Sequence, residues 1–405
     1  MRILCLASRL PYPPNRGDRL RAYNFIRELS GEHDLSLVSF ISRDSEMEHA
    51  QALRDYCQDV RVVLKDQSAS AITAVGNAWR REPLQAQYYR SRAMRALIGQ
   101  VLDESDFDVI YVHLFRMAPY AEGLTGYYRV IDLTDVISQE VIHSLPYRGL
   151  AWRLIYRVER PRIERYERHV ADTFEETWLI SEADRRVLAA SCQDANIQVV
   201  TNGVDVGRFY PTGTTCPPAS LIFLGHLRVF HNVDAVTHLA KDVLPLVRQQ
   251  VPACTLTIVG ADPSPRVQAL ASDPAVTVTG FVEDLNDALN RSAVFVAPLR
   301  FAAGVQNKVL EAMATARPVV TTSIVNSGLG AVPGKDILVA DDAEGIAQHV
   351  VSLVQDREKW ERIGRSGMAF VRRTYRWHHV VERMRAIQAL LSSGGPDVVP
   401  ARQHD

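Results

Sequence analysis

The sequence has few cysteines, no long apolar run and almost no net charge, and each shortage excludes a class of protein. Its five cysteines are scattered, with neither a CxxC pair nor a metal-ligand spacing, which is typical of reduced thiols and not of a disulfide scaffold. No stretch approaches the roughly 18 consecutive apolar residues that a membrane-spanning helix needs. The formal net charge of −1 leaves no global electrostatic case for nucleic-acid binding.

Two targeting and binding patterns are also missing. Residues 2–7 form an apolar, strand-like segment at the very start of the sequence, without the layout of a signal peptide. No GxGxxG sequence opens a helix after the first strand, so the dinucleotide-binding fingerprint is absent. We therefore expect a cytoplasmic protein that does not bind a nicotinamide or flavin dinucleotide through that motif.

The chain has the length and the apolar content for two domains. It contains 405 residues, of which 47% are hydrophobic and 23% charged. Short apolar segments alternate with helix-like segments, which predicts doubly wound parallel sheets of the α/β class. The predicted strands of the first half are 3–7, 35–41, 60–64, 107–113, 129–135, 176–181 and 197–200; those of the second half are 221–225, 255–260, 276–281, 294–299, 319–322 and 337–339.

Polar residues end several predicted strands of the first half. His113 ends one strand, Asp132 and Asp135 end the next, and Gly17 closes a proline-rich loop after the first. Ligands of open α/β sheets bind beside the carboxyl ends of the strands, so all four positions are candidates for substrate contact. The alternatives are a structural histidine, carboxylates that cap the following helix, and a simple turn at Gly17.

Residues 147–171 are dense in arginine, with aromatic and aliphatic residues interleaved before Pro161. A basic, aromatic-bearing helix can lie on an anionic membrane surface. The alternative is a solvated face with a few aromatic residues packed on the core. Pro161 is expected to kink or split the helix, because proline lacks the backbone N–H.

The second half of the sequence begins the pattern again, with a strand that ends in Gly225. His226, Arg228 and His231 follow this glycine and are candidates to face a diphosphate, although a histidine carries less charge at neutral pH than an arginine. A later strand, 276–281, ends in Phe281, whose ring could lie against a base.

A strand, a glycine loop and a helix follow one another over residues 294–314. Gly304, Val305 and Gln306 precede the helix, where backbone N–H groups can approach an anion. Lys308 and Glu311 are three residues apart and therefore project from one helical face, which would suit a phosphate and ribose hydroxyls respectively. An ordinary loop followed by a solvated Lys–Glu pair would have the same local sequence.

Taken together, these residues resemble glycosyltransferase family 4, the retaining sugar-nucleotide transferases of GT-B fold. The resemblance is most specific at 202–205, 304–314, 318–320 and 375–377. The loop around 12–21 and the triplet 306–308 look closer still to bacterial sugar transferases associated with exosortase and exopolysaccharide gene clusters.

The resemblance implies two Rossmann-like domains whose parallel sheets face each other across a cleft. Residues 1–200 would bind the acceptor and residues 201–375 the nucleotide sugar, while a helix at 376–391 would cross back to the N-terminal domain. Residues 392–405, rich in glycine and proline, are expected to be disordered.

The resemblance also assigns roles at the site. Glu311 would bind ribose and Lys308 the diphosphate. Gly304, Val305 and Gln306 would hold the same diphosphate, Gly17 would approach it from the other domain, and Phe281 with Val282 would flank the base. The candidate catalytic residues are Lys308, Arg228, His113 and Asp135. Neither a metal nor another cofactor is expected, because members of the family are generally metal-independent.

Three positions depart from the family pattern. Ala303 stands where the first glutamate of a paired-glutamate motif is usual, which puts the placement of the donor sugar in question. His226 and His231 stand where an arginine and a lysine are usual, so Arg228 is the nearby permanent cation.

The expected reaction is transfer of a hexose from a UDP- or GDP-sugar to a hydroxyl of a glycan or lipid-linked acceptor in bacterial polysaccharide synthesis. It would occur in the cytoplasm or on the inner face of the cytoplasmic membrane, with residues 147–171 as the surface of contact. Two alternatives stay open: a nucleotide-sugar 2-epimerase of the same fold, and a non-catalytic protein that binds sugar nucleotides.

Overall fold

The computed structural model describes residues 1–14, 17–77, 79–301 and 304–393, and the chain divides into two compact units. The first unit comprises Met1–Thr201 together with the segment from Trp377 onward, and the second is Asn202–Arg376. Ala303 and the predicted disordered tail beyond residue 393 lie outside the described residues.

The first unit is built on a seven-stranded parallel sheet with the strand order β3-β2-β1-β4-β5-β6-β7. Its strands are nearly continuous apolar runs, as expected for a sheet covered on both faces. They are β1 (Arg2–Ala7), β2 (Asp34–Ile41), β3 (Asp59–Leu64), β4 (Val109–His113), β5 (Tyr128–Thr134), β6 (Glu176–Leu179) and β7 (Ile197–Val199).

The helices of the first unit connect these strands. They are α1 (Gly17–Leu29), α2 (Met47–Gln51), α3 (Gln67–Gly76), α4 (Leu84–Tyr88), α5 (Arg92–Glu104), α6 (Ile137–Ser144), α7 (Leu150–Thr173) and α8 (Glu182–Ala189), with 3₁₀ segments at Asp44–Glu46, Phe115–Tyr120 and Leu145–Tyr147. Residues 84–104 form two helices, α4 and α5, and Ser91 caps the second by accepting a hydrogen bond from the Met94 N–H at 3.3 Å.

Pro161 does not split α7, which continues from Leu150 to Thr173. Neighbouring side chains hold the helix together around the proline: Arg162 pairs with Glu159 at 2.9 Å and Arg160 with Glu164 at 2.8 Å. The Glu159 carboxylate also accepts a hydrogen bond from the Leu84 N–H at 2.8 Å. Tertiary contacts therefore offset the backbone hydrogen bond that the proline removes.

The second unit repeats the architecture with a six-stranded parallel sheet in the order β10-β9-β8-β11-β12-β13. Its strands are β8 (Ser220–Leu224), β9 (Thr255–Val259), β10 (Val276–Gly280), β11 (Val294–Ala297), β12 (Val319–Thr321) and β13 (Leu338–Val339). Its helices are α9 (Phe230–His238), α10 (Leu244–Gln250), α11 (Pro265–Gln268), α12 (Leu285–Asn290), α13 (Asn307–Ala314), α14 (Ser323–Leu329), α15 (Ala343–Gln355) and α16 (Arg357–Thr374), with a π-helical turn at Leu239–Val243 and a 3₁₀ segment at Ala269–Ser272. The predicted α/β class with two parallel sheets is confirmed.

The C-terminal helix α17 (His378–Ser392) is part of the first unit. Its residues Val380, Met384 and Ile387 are buried in the same core as Phe25 of α1. Its Arg383 forms an ion pair with the fully buried Glu176 of β6. Helix α17 thus returns to the unit that contains the N-terminal strands.

Candidate functional site

Two glycines determine the conformation and packing of the loop before α13. Gly304 has a left-handed φ of 54°, a conformation that other residues rarely adopt. A Cβ at Gly328, in α14, would lie 2.4 Å from the Gly304 carbonyl oxygen. The backbone of the loop therefore rests directly on α14, which fixes its position in front of α13.

The first turn of α13 presents its N–H groups without a side-chain cap. Gln306 is the N-cap residue, and its carbonyl oxygen accepts from the Val309 N–H at 2.9 Å, but its side chain makes no capping bond. Val305 is buried and anchors the segment. The N–H groups at the start of the helix and its dipole together favour an anion at this position.

Lys308 is held by a buried asparagine that sequence reasoning missed. Its Nζ donates a hydrogen bond to Oδ1 of Asn232, which is only 4% exposed, and lies 4.9 Å from the centre of the Phe223 ring. Nδ2 of Asn232 donates to the His226 carbonyl oxygen at 3.1 Å. Asn232 therefore links Lys308 to the loop that follows β8.

A signal for Asn232 was present in the sequence. It occupies the first position of the buried stripe of α9, ahead of the core residues Ala235, Val236 and Leu239 at helical spacing. A polar residue on an apolar stripe usually has a buried hydrogen-bond partner. The identity of that partner, Lys308, required the tertiary structure because the two residues are 76 positions apart.

Burial moves the pKa values of Lys308 and Glu311 toward each other. It lowers the pKa of Lys308 to about 7, against the opposing effect of the Glu311 carboxylate. It raises the pKa of Glu311 to about 7, against the opposing effects of first Arg208 and then Lys308. A phosphate beside Lys308 would favour the charged form of the lysine, so we expect Lys308 to gain a proton when an anion binds. Arg208 is a second residue that the sequence did not single out.

The three predicted basic residues lie in the loop after β8 and in the first turn of α9, with different surroundings. The Nε2 atom of His226 lies 3.5 Å from Oδ2 of Asp262, and the Arg228 side chain is exposed. His231 is partly buried at the start of α9, beside Asn232. A Cβ at Gly260 would lie 1.7 Å from the Gly225 carbonyl oxygen, so this loop also depends on close backbone packing.

Phe281 and Val282 follow β10, at the outer edge of the second sheet. Phe281 is 71% exposed and Val282 partly exposed. Because β9 and β8 lie between β10 and β11, these two residues are separated from the α13 loop by two strands. They share with it the carboxyl edge of the sheet.

The predicted residues of the first unit surround a buried ion pair. Arg21 Nε donates to Oδ2 of Asp132 at 2.6 Å, and the Tyr111 hydroxyl donates to the same oxygen at 2.5 Å. Both members of the ion pair are almost completely buried, so Asp132 stabilises the sheet edge and is not open to a substrate. Gly17 is exposed and begins α1.

His113 ends β4 and is also enclosed, whereas Asp135 directly follows β5 and is partly buried. His113 is 3% exposed, and burial lowers its pKa to about 4, so it is neutral at pH 7. Burial raises the pKa of Asp135 well above its usual range, and the carboxylates of Asp184 and Glu140 add to the effect. Neither His113 Nε2 nor Asp135 Oδ1 has a hydrogen-bond partner within the described part of the chain.

Two kinds of feature are absent from residues 1–14, 17–77, 79–301 and 304–393. No group of three or more His, Cys, Asp and Glu side chains there could hold a metal ion. No helix there is long and apolar enough to cross a bilayer.

The comparisons with known proteins agree with this architecture. Residues 218–356, which include the α13 loop, match the model of the family described as glycosyl transferases group 1. The structure superposes on sucrose-phosphate synthase from Thermosynechococcus elongatus with a TM-score of 0.74 at 12% identity, over 98% of this chain and 100% of the other. The chain has the GT-B fold of glycosyltransferases.

Two further proteins resemble this GT-B chain over most of its length. Anabaena HepE in complex with UDP superposes with a TM-score of 0.66 at 15% identity, over 97% of this chain and 100% of the other. An uncharacterised 44.6 kDa protein of the cps region of Klebsiella pneumoniae is 20% identical over 385 residues, 92% of this chain and 96% of its own. The family match and the fold together support a glycosyltransferase.

Proposed function

We propose that this GT-B protein is a retaining glycosyltransferase that moves a hexose from a UDP- or GDP-sugar to a hydroxyl of a glycan or lipid-linked acceptor. The observation that carries the proposal is the start of α13, where uncapped N–H groups and Lys308, oriented by Asn232, converge beside Glu311. These groups suit the diphosphate and ribose of a sugar nucleotide.

The comparisons support a nucleotide-sugar donor of the uridine type. The solved structures of HepE include complexes with UDP, with UDP and glucose, and with UDP-glucose. The similarity to a protein of the Klebsiella cps region supports a role in polysaccharide synthesis. UDP is therefore the first nucleotide to test.

The proposed mechanism rests on positioning and on electrostatic stabilisation of the leaving group. Lys308 and the N–H groups of residues 304–308 would bind the donor diphosphate and stabilise the charge that develops as the glycosidic bond breaks. Glu311 would accept hydrogen bonds from the ribose hydroxyls. The departing diphosphate would take the proton of the attacking hydroxyl from the same face of the sugar, which retains the anomeric configuration without a protein nucleophile.

Other predicted residues have supporting roles in this proposal. Arg228 and the histidines His226 and His231 would contribute positive charge near the diphosphate, with Arg228 permanently charged. Phe281 and Val282 would flank the base. His113 and Asp135 stay predicted catalytic residues. Because the first is buried and the second partly buried, a substrate group would have to reach the ends of β4 and β5.

A ligand screen followed by product analysis tests the proposed function. The melting temperature of the protein would be measured with UDP, GDP, ADP and dTDP and with the common sugar nucleotides of each. A true ligand should raise it in a way that depends on ligand concentration. We expect UDP- or GDP-sugars to stabilise the protein and to transfer sugar to a polyprenyl-diphosphate-linked or glycan acceptor. Release of nucleotide with an altered sugar in the absence of acceptor would identify an epimerase, and binding without turnover on a broad panel would identify a non-catalytic protein. Either result would overturn the proposal.

The first turns of α7 supply a second element of the proposal, contact with an anionic membrane surface. Leu150, Trp152, Leu154, Ile155 and Val158 are between 43% and 79% exposed, so the tryptophan is not packed on the core. Arg148, Arg153 and Arg157 lie among these apolar side chains in the sequence. Apolar groups that insert below the headgroups, with cations beside them, are typical of interfacial helices.

We expect the double substitution Trp152→Gln and Leu154→Gln to weaken binding to phosphatidylglycerol-containing vesicles by about 100-fold, because each buried apolar side chain contributes roughly a tenfold effect. Co-sedimentation with such vesicles, compared with vesicles of phosphatidylcholine alone, measures the effect. Ile72→Gln, at a site 73% exposed on α3, is the matched control and should change binding little. Equal binding by the double variant and the wild type would contradict membrane contact through α7.

A further inference from the structure

Three cationic side chains to which the proposed function gives no role gather at the carboxyl edge of the first sheet. Arg9 follows β1, Lys65 directly follows β3, and Arg116 lies in the 3₁₀ segment after β4. The carboxyl ends of parallel strands meet at one edge, which is where open α/β sheets bind ligands. The three residues are far apart in sequence and converge only through the topology of the sheet.

Two tyrosines organise this cationic cluster of Arg9, Lys65 and Arg116. Lys65 Nζ lies 3.2 Å from the centre of the Tyr88 ring and 4.3 Å from that of Tyr89. The Arg116 guanidinium lies 5.2 Å from the centre of the Tyr89 ring, and Arg9 and Arg116 both interact with Tyr89 electrostatically. The aromatic rings hold the cations in place without neutralising them.

The cationic cluster has an excess of positive charge. Asp18 pairs with Arg9 at 2.6 Å and is the carboxylate that the described contacts assign to the cluster, which leaves two positive charges in excess. The neighbouring Asp66 accepts instead from the Ser68 N–H at 2.9 Å. Burial, followed by repulsion from Arg9 and Arg116, lowers the pKa of Lys65 to about 8, so Lys65 stays mostly protonated at pH 7.

One donor atom in the cationic cluster also lacks an acceptor. Lys65 is 9% exposed, and Arg116 Nε is buried with no hydrogen-bond partner among residues that the structure describes. Burying donors and like charges without an acceptor is unfavourable, and fold stability gives no reason to retain them. Arg9 and Tyr88 keep partial exposure, so a ligand can approach from solvent.

We propose that Arg9, Lys65 and Arg116 bind a phosphate or diphosphate group carried by the acceptor. A doubly charged anion matches the excess of two positive charges, whereas a single carboxylate would leave one cation uncompensated. The assignment to the acceptor rests on the proposed function, since the donor diphosphate is assigned to the second unit. The anion site itself is independent of that function.

Calorimetric titration of the full-length protein with inorganic pyrophosphate in saturating UDP tests the site, because UDP occupies the proposed donor site. We expect wild type to bind pyrophosphate, and Lys65→Met and Arg116→Met each to weaken that binding about tenfold or more, since each removes a charge-assisted contact. Both changes keep an aliphatic side chain against the tyrosine rings, and the melting temperature of each variant checks that it is folded. Lys241→Met and Arg54→Met remove the same charges at exposed positions and should leave the affinity unchanged.

Several outcomes separate this inference from the proposed function. A wild type that binds no pyrophosphate, or folded Lys65 and Arg116 variants that bind it as wild type does, would overturn the anion site. If neither UDP nor GDP binds, the proposed function fails, and the same titration is made without nucleotide in the Lys308→Ala background. Where transfer is active, Lys65→Met should raise KM for a polyprenyl-diphosphate-linked acceptor and leave KM for its uncharged alkyl glycoside unchanged. An equal rise in both would refute the assignment to the acceptor.

Discussion

Replacing Lys308 with alanine should lower the rate of sugar transfer by about 100-fold to 1000-fold, the range typical of removing one preorganised donor from a developing anion. The lysine is oriented by the buried Asn232 and lies in the first turn of α13, so its Nζ atom is held in position before the donor binds. UDP affinity should fall by about tenfold in the same variant, because a charge-assisted phosphate contact is lost. Initial transfer rates and calorimetric titration with UDP measure the two effects.

Lys335→Ala is the matched control for this experiment. Lys335 is exposed in the same unit, so its removal changes the net charge equally without touching α13. It should retain the transfer rate and the UDP affinity of wild type. If Lys308→Ala also retained both, the α13 site would not bind the donor diphosphate, and the proposed mechanism would be rejected.

Replacing Arg21 with methionine should reduce the free energy of unfolding of the first unit by about 3–5 kcal/mol, because the change leaves the buried Asp132 carboxylate without its cation. The side chains of Arg21 and Asp132 are 2% and 0% exposed, and water cannot replace the lost contact. Tyr111 still donates one hydrogen bond to Asp132 but supplies no charge. Urea-induced unfolding, analysed for the transition of this unit, measures the loss.

Two further variants isolate the role of burial in this ion pair. Arg385→Met breaks the ion pair with Glu32, whose two side chains are 53% and 36% exposed, and should cost much less stability because both charges stay in contact with water. Adding Asp132→Asn to Arg21→Met should recover part of the lost stability, since the uncompensated charge is removed. A loss for Arg21→Met as small as that for Arg385→Met would show that the Arg21–Asp132 pair is not buried in solution.

Much of the fold followed from local sequence patterns. Buried strands such as 294–299 and 107–113 are short apolar runs bounded by polar residues, glycine or proline, and such runs identify strands of a doubly wound sheet without reference to distant residues. Helix ends were less predictable. The interruption near Ser91 depends on a single capping bond, and the continuity of α7 through Pro161 depends on contacts such as Glu159 with Leu84.

The candidate site also has features that the local sequence predicts and features that depend on tertiary contacts. The sequence by itself determined the glycine loop and the Lys308–Glu311 spacing of α13, because residues three apart on a helix share a face whatever surrounds them. Only the tertiary structure decided that Asn232 accepts a hydrogen bond from Lys308 and that Arg21 forms an ion pair with Asp132. It also decided that Lys65 lies over the rings of Tyr88 and Tyr89. Each of these contacts joins residues far apart in the chain, so its existence depends on strand order and helix packing, which local propensity does not encode. Burial, which sets the charge states of Lys308, His113 and Lys65, is likewise a property of the assembled fold.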